Sequence, residues 1–422
     1  MRSTFDSARR SGAPSRLRFK RSNRVLVQNL LLALVWPFFV AVVHVRRFPR
    51  HRILTGFVVF CAFAGFVFIP TVGSDAHTYM LHYEALRQGW RWTGSEPVPA
   101  ALMSVLAWLD LEARWYFGAL GLLYGLVVAA AARLLFRDVS RTVSLSLVAI
   151  VFVGAFFLNH PVFSAVNARY HLGLWVLLLA TLLILDGRWK QALAVAAFGT
   201  LIHFGHVLFS LALIALLLSR RLGSWQVYLA YALLAAAFVL PPTLLPAVGE
   251  WVANTVGGAL GDKIDSSVRY AQITEFGTLT RESERAWFLQ WFTTPIFWSL
   301  IVSGHLMALK VWNNRDDVQF QLWILIILMW ALQLAMAGEL EAASRVQRNT
   351  TALLLLWHAR WFLIRKDGAQ LALLINVLPL LFYFVVSYRR WLHQADLGAF
   401  LPAPLGVWPE MWPTVMELMG RG

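Results

Sequence analysis

Long apolar runs, each close to the length of a bilayer crossing, constrain this chain more than any motif in it. Ile53–Pro70, Trp115–Phe136, Tyr228–Leu245, Trp287–Leu309, Val318–Ala337 and Leu371–Tyr388 are among them. A helix needs roughly 20 apolar residues to cross the hydrocarbon core. Backbone inside lipid must pair its own polar groups, which leaves helices or closed barrels. These runs are continuous and lack the alternation of barrel strands, so they predict helices. The expected fold is an all-α polytopic membrane protein of about 10–13 membrane helices, short re-entrant ones included. The composition agrees, with 59% hydrophobic and 14% charged residues, where a soluble domain carries about 25% charged.

The net charge of +15 does not point to nucleic acid. Lys and Arg gather at the ends of apolar runs, as the positive-inside rule requires of cytoplasmic loops. Such ends also meet anionic membrane lipid. Cys61 is the one cysteine and lies in an apolar run. That excludes an intramolecular disulfide and a cysteine-rich metal site. The first apolar run follows a basic leader without a small-residue cleavage pattern, so it is expected to be retained.

Three regions follow from this pattern. Residues 1–24 are Arg- and Ser-rich and are expected to be disordered and cytoplasmic. Residues 25–390 form one transmembrane domain with outer loops at 71–97, 160–170, 246–286 and 338–348. Residues 391–422 are a Pro- and Trp-rich tail. Val25–Val43 lies between two basic flanks. It is either a bent or interfacial helix, or a span with one flank that breaks the rule. Val98–Leu109 is short for a span and reads as a rim or re-entrant helix. Gln191–Leu218 also sits between basic loops. A hairpin of two short helices, broken near His203–His206, satisfies both.

The outer loop Gly73–Pro97 carries the densest chemistry. Asp75, Tyr79 and Tyr83 recur at i, i+4 and i+8, which places them on one helical face. Glu96 follows where the chain re-enters the membrane. Asp75 and Glu96 can serve as a general base and an orienting carboxylate; their plainer role is a helix cap or a loop ion pair. Tyr79 and Tyr83 can stack on sugars or simply belong to an interfacial tyrosine belt. Arg169, Arg281, Arg285, Arg345 and Arg348 all fall on the outer side, against the positive-inside rule. A guanidinium fork suits phosphate, so these arginines suggest an anionic, diphosphate-like headgroup. His203 and His206 stand three residues apart with no acid or cysteine to complete a metal site. His203, at the expected break, reads as a hydrogen-bonding or proton-handling group.

In order, these motifs resemble the EpsG-type, Wzy-like membrane polysaccharide polymerases. The resemblance rests on Val72-Gly-Ser-Asp75 with Tyr79 and Tyr83, then Glu96-Pro97, Arg169, His203 and Arg345, and covers most of residues 50–390. It departs from the family pattern at Tyr170, where Gln is usual, and after His203, where no hydroxyl residue follows. The resemblance implies a GT-C-like glycosyltransferase, with no metal or other cofactor. Its substrate would be a lipid-linked oligosaccharide on undecaprenyl diphosphate, polymerised into exopolysaccharide or O-antigen. The implied place is the bacterial inner membrane, with the active site facing the periplasm or exterior, beside other polysaccharide-assembly proteins. Asp75 is the first choice of base and His203 the second, with Glu96 beside them. Arg169, Arg345, Arg348, Arg281, Arg285, Tyr79 and Tyr83 would hold substrate.

Two other function classes compete. A ligase or single-sugar transferase using a polyprenyl-linked donor needs the same site. A glycolipid flippase would show repeat symmetry and midplane charges, and neither is evident in the sequence. A structural role in a polysaccharide-export complex is a further alternative.

Overall fold

The computed structural model describes residues 35–51, 54–70, 72, 74–90, 96–139, 145–223, 225–239, 254–255, 293–311, 317–336, 340–365, 367–394 and 397–400, with Leu32. The described residues are helical throughout and contain no strand. Among the described residues, five helical stretches are long and apolar enough to cross a membrane: Ala113–Leu135, Leu147–Asn167, Phe204–Leu222, Thr294–Val311 and Val318–Ala335. Shorter apolar helices accompany them. The protein is an all-α, multi-pass membrane protein, as the apolar runs require.

The chain opens with α1 (Pro37–His51), α2 (Thr55–Phe66) and α3 (Asp75–Arg87). The short α4 (Pro97–Trp108) and the long α5 (Ala113–Leu135) follow. Next come α6 (Leu147–Leu158), the one-turn-and-a-half α7 (Val162–Asn167) and α8 (Arg169–Leu185). Then α9 (Trp189–Ile202), α10 (Val207–Ser219) and α11 (Trp225–Val239) complete the first part. The second part holds α12 (Thr293–Ala308), α13 (Val318–Ala335), α14 (Leu340–Ile364) and α15 (Ala369–Gln394).

Burial ranks these helices. Along α8, Tyr170–Leu178 are buried without a break, and along α14 so are Asn349–Phe362. A helix apolar on every side belongs in the middle of a bundle. Together with α13, whose Phe320 and Leu322–Met329 are buried, these form the centre. By contrast α10 and α11 expose Leu211, Leu218, Tyr228 and Phe238, as lipid-facing helices do. Lipid tails are as apolar as Leu, so close packing rather than water exclusion holds such helices together. The α2–α5 contact shows this most clearly. A Cβ on Gly121 would lie 2.1 Å from the Cys61 carbonyl oxygen, and one on Gly65 2.2 Å from that of Phe117.

Helices α5, α8 and α14 run in the same direction. At their C-terminal ends Arg137 pairs with Asp186 and with Asp138, and Arg360 reaches Asp138 at 3.3 Å. At the other end, Tyr170 of α8 hydrogen-bonds α14 at Arg345 and Asn349. The 17 residues of α8 separate the two ends by about 26 Å. A basic, ion-paired end therefore lies a bilayer's depth from the end that carries the candidate site.

Several expected boundaries differ in the structure. The loop expected at 71–97 contains the helix α3, and that at 160–170 contains α7. Residues 338–348 do not form an open loop from Leu340 on, because Arg345 and Arg348 lie in the first turns of α14. The chain beyond 390 is not all tail. Helix α15 runs to Gln394, and the short 3-10 turn Leu397–Phe400 returns to the core. There Phe400 packs on Phe38, Phe60 and Phe163, and the Trp36 indole donates to its carbonyl oxygen at 3.0 Å. Residues 1–24 and, apart from 254–255, the loop expected at 246–286 lie outside the described residues.

Candidate functional site

Three helices begin at one place. Ser74 caps α3 by accepting from the His77 N–H at 3.2 Å, which leaves the Asp75 carboxylate without capping duty in the first turn. The short helix α4 starts with Pro97 at its first position, where a missing N–H costs nothing. That makes Glu96 its N-cap residue, yet its side chain makes no cap hydrogen bond and turns elsewhere. Helix α8 starts at Arg169 without a side-chain cap. Helix N-termini carry unpaired N–H groups and partial positive charge, so their convergence favours an anion.

Glu96 is the centre of the cluster. It is buried, at 7% exposure. One carboxylate oxygen lies 2.7 Å from Arg169 Nη1 and the other 2.5 Å from His203 Nδ1. The Arg169 guanidinium stacks over the Tyr79 ring, 3.8 Å from its centroid, close enough for a strong cation–π contact. Burial pushes the Tyr79 phenol up to about 12; the Arg169 charge pulls it back, and Asp75 adds to the rise. Tyr79 is thus a neutral hydroxyl at any physiological pH. Asp75 itself is exposed at the start of α3, within electrostatic reach of that phenol.

His203 sits where the hairpin breaks. Its backbone is extended (φ −151°, ψ 116°) between α9 and the 3-10 turn Phe204–His206. Beyond the break the chain doubles back, so Ser210 reaches both Thr200 (2.7 Å) and the Ala196 carbonyl (3.4 Å). This is the expected hairpin. An ionised Glu96 accepts from Nδ1–H, which fixes the tautomer and leaves a lone pair on Nε2. That Nε2 is buried and has no hydrogen-bond partner among the described residues. Arg345 arrives from α14. A Cβ on Gly205 would stand 3.0 Å from His203 Nε2 and 3.3 Å from Arg345 Nη1, so both groups crowd the same point. Arg348 lies one turn further, 5.9 Å above the Tyr170 ring.

The structure therefore brings Asp75, Tyr79, Glu96, Arg169, His203, Arg345 and Arg348 to one end of the bundle. Tyr83 is different. It is fully buried, its hydroxyl donates to the Leu111 carbonyl at 2.8 Å, and it stacks on Tyr116, so its geometry is that of a packing residue. Arg281 and Arg285 lie outside the described residues. No group of three or more His, Cys, Asp or Glu among the described residues is placed to hold a metal ion. Sequence reasoning missed Gly205 and Asn349. Glycine three residues from the end of a helix is a common sight, and only the approach of Arg345 gives this one its meaning.

The fold and this cluster define a class: a multi-pass helical membrane protein with a buried carboxylate against a half-buried imidazole, among guanidinium groups at one end of the bundle. The family model described as the EpsG family matches residues 52–403, and the chain belongs to that family. No curated protein and no solved structure matches it.

Proposed function

We propose that this protein is a glycosyltransferase that polymerises oligosaccharide repeat units carried on undecaprenyl diphosphate, at the outer face of the bacterial inner membrane. Membership of the EpsG family supports a polysaccharide polymerase-like role. The observation that carries the finer reading is the Glu96–His203 contact beside Arg169 and Arg345. Glu96 orients His203 so that Nε2 accepts the proton of an acceptor sugar hydroxyl. The hydroxyl oxygen bonds to the anomeric carbon of the donor glycan. The bond from that carbon to the diphosphate breaks, and its electron pair leaves with the phosphate oxygen. Arg345, Arg348 and Arg169 stabilise the negative charge that develops there. In this assignment Asp75 gives up the first place as base to His203. It stands exposed at the start of α3, where it can accept hydrogen bonds from acceptor hydroxyls, while the Tyr79 phenol donates one.

The test is a glycan ladder from cells or from purified enzyme with lipid-linked repeat units. Asp75→Asn, Arg169→Ala and Arg345→Ala are each expected to leave one repeat unit per carrier, with folded protein still in the membrane. Full-length polymer from all three variants would refute the assignment. Transfer of preformed polymer to a different acceptor, with the ladder unchanged, would instead identify a ligase.

A further inference from the structure

Tyr170 joins three of the segments that carry the site, α8, α14 and the hairpin break, and no proposed step uses it. It follows Arg169 directly in α8. Its hydroxyl lies 2.7 Å from the Arg345 carbonyl oxygen and 2.6 Å from the Asn349 amide oxygen, both on α14. A phenol has one proton, so the Tyr170 hydroxyl shares it between these two acceptors. On its other side, Tyr170 holds the hairpin break. His206 stacks on its ring at 4.6 Å with 27° between planes, and His206 Nε2 lies 2.7 Å from the Tyr170 carbonyl oxygen. A nitrogen facing a carbonyl oxygen must carry the proton, so Nε2–H donates.

Burial makes these contacts obligatory. His206 is 0% exposed, Asn349 2% and Tyr170 7%. Buried polar groups without partners are costly, so each of the three resists moving alone. Gly173, one turn along α8, makes room for the arrangement. A Cβ there would stand 2.5 Å from His206 Cδ2 and 2.8 Å from its Nε2. His203 is three residues from His206, Arg169 is next to Tyr170, and Arg345 accepts the Tyr170 hydrogen bond.

We propose that Tyr170 and His206 are positioning residues that set His203 and the Arg345 guanidinium at their working separation beside Arg169. The role rests on the polymerase reading for its consequence in turnover, but not for the geometry itself. A guanidinium misplaced by about 1 Å loses on the order of 10²-fold in rate. Tyr170→Phe removes one oxygen and no packing volume of consequence. It is expected to lower kcat about 10- to 100-fold with KM for the lipid-linked donor nearly unchanged. Gly173→Ala pushes on the His206 ring itself and is expected to give the same split. His206→Gln keeps an N–H at about the same reach and is expected to restore activity that His206→Ala loses.

Two measurements separate this role from plain destabilisation and from failure of the polymerase reading. The first is turnover of lipid-linked repeat units alongside Thr181→Val, a buried α8 change away from the site whose melting temperature serves as a matched control. The second is binding of undecaprenyl diphosphate, the leaving group, to the purified full-length protein. A lower kcat or weaker diphosphate binding by Tyr170→Phe and Gly173→Ala, with His206→Gln recovering what His206→Ala loses, supports the positioning role. Binding and kcat that match wild type in both Tyr170→Phe and Gly173→Ala overturn it, as does a loss no greater than that of Thr181→Val at equal stability. A wild type that binds the diphosphate without any turnover retires the polymerase reading, and the binding comparison then decides the positioning role. A wild type that does neither retires both.

Discussion

Replacing His203 with Ala is expected to cut glycan transfer by about 10²- to 10⁴-fold, the usual contribution of a positioned base. The reason is geometric. Glu96 occupies Nδ1 at 2.5 Å, so Nε2 is the one ring nitrogen left to take a proton. Glu96→Gln keeps an oxygen in reach of Nδ1–H but removes the charge that stabilises the imidazolium. It also leaves the Arg169 cation, of which 11% of the side chain is exposed, without its counter-charge. A buried charge stripped of its partner costs roughly 3–5 kcal/mol, so this variant should lose stability as well as rate. The double variant should transfer no more slowly than His203→Ala alone, because residues that act as one unit are not additive. Single-turnover rates on purified enzyme check all three. A His203→Ala enzyme within about twofold of wild type, far inside the range a base contributes, would leave Asp75 as the better base.

Gly121→Leu is expected to prevent stable folding. Its Cβ would sit 2.1 Å from the Cys61 oxygen and 3.0 Å from the Cys61 carbonyl carbon. Both are backbone atoms of α2 and cannot swing aside. Inserting atoms into a packed core costs typically about 1–3 kcal/mol when side chains can adjust, and here α2 and α5 must separate instead. The loss should be roughly 3 kcal/mol or more. Gly154→Leu is the control, because nothing stands within 4 Å of its added Cβ. Its effect should stay within about 0.5 kcal/mol. Melting in detergent, followed by size-exclusion chromatography, distinguishes the two. Equal melting temperatures would show that the α2–α5 approach is looser than these distances state.

The candidate site was legible as a set of residues and illegible as an arrangement. Asp75, Glu96, Arg169, His203 and Arg345 stand out in sequence because ionisable groups beside hydrocarbon are costly and need a reason. Their chemistry is written in their type and in their distance from an apolar run. Their roles are not. Asp75 and Glu96 look equivalent in the sequence, yet one is exposed at a helix start and the other is buried between a guanidinium and an imidazole. Tyr79 and Tyr83 share a helical face by spacing. Only Tyr79 meets Arg169, while Tyr83 spends its hydroxyl on Leu111. Arg345 looked like a loop residue because charge interrupts the apolar pattern there, but α14 continues through it. A helix whose first turns stand clear of the hydrocarbon has no need of apolar residues in them.

Run length, composition and the placing of basic loops were enough to indicate a multi-pass helical membrane protein, a hairpin broken near His203 and a short helix after Glu96. Those properties follow from how many apolar residues a bilayer demands and from backbone groups that must pair within the segment, and both are local. The pairing of Glu96 with His203 spans 107 positions, and that of Tyr170 with Arg345 spans 175. Such contacts depend on which helices lie side by side and how closely glycines let them approach, and packing of the whole bundle alone decides that.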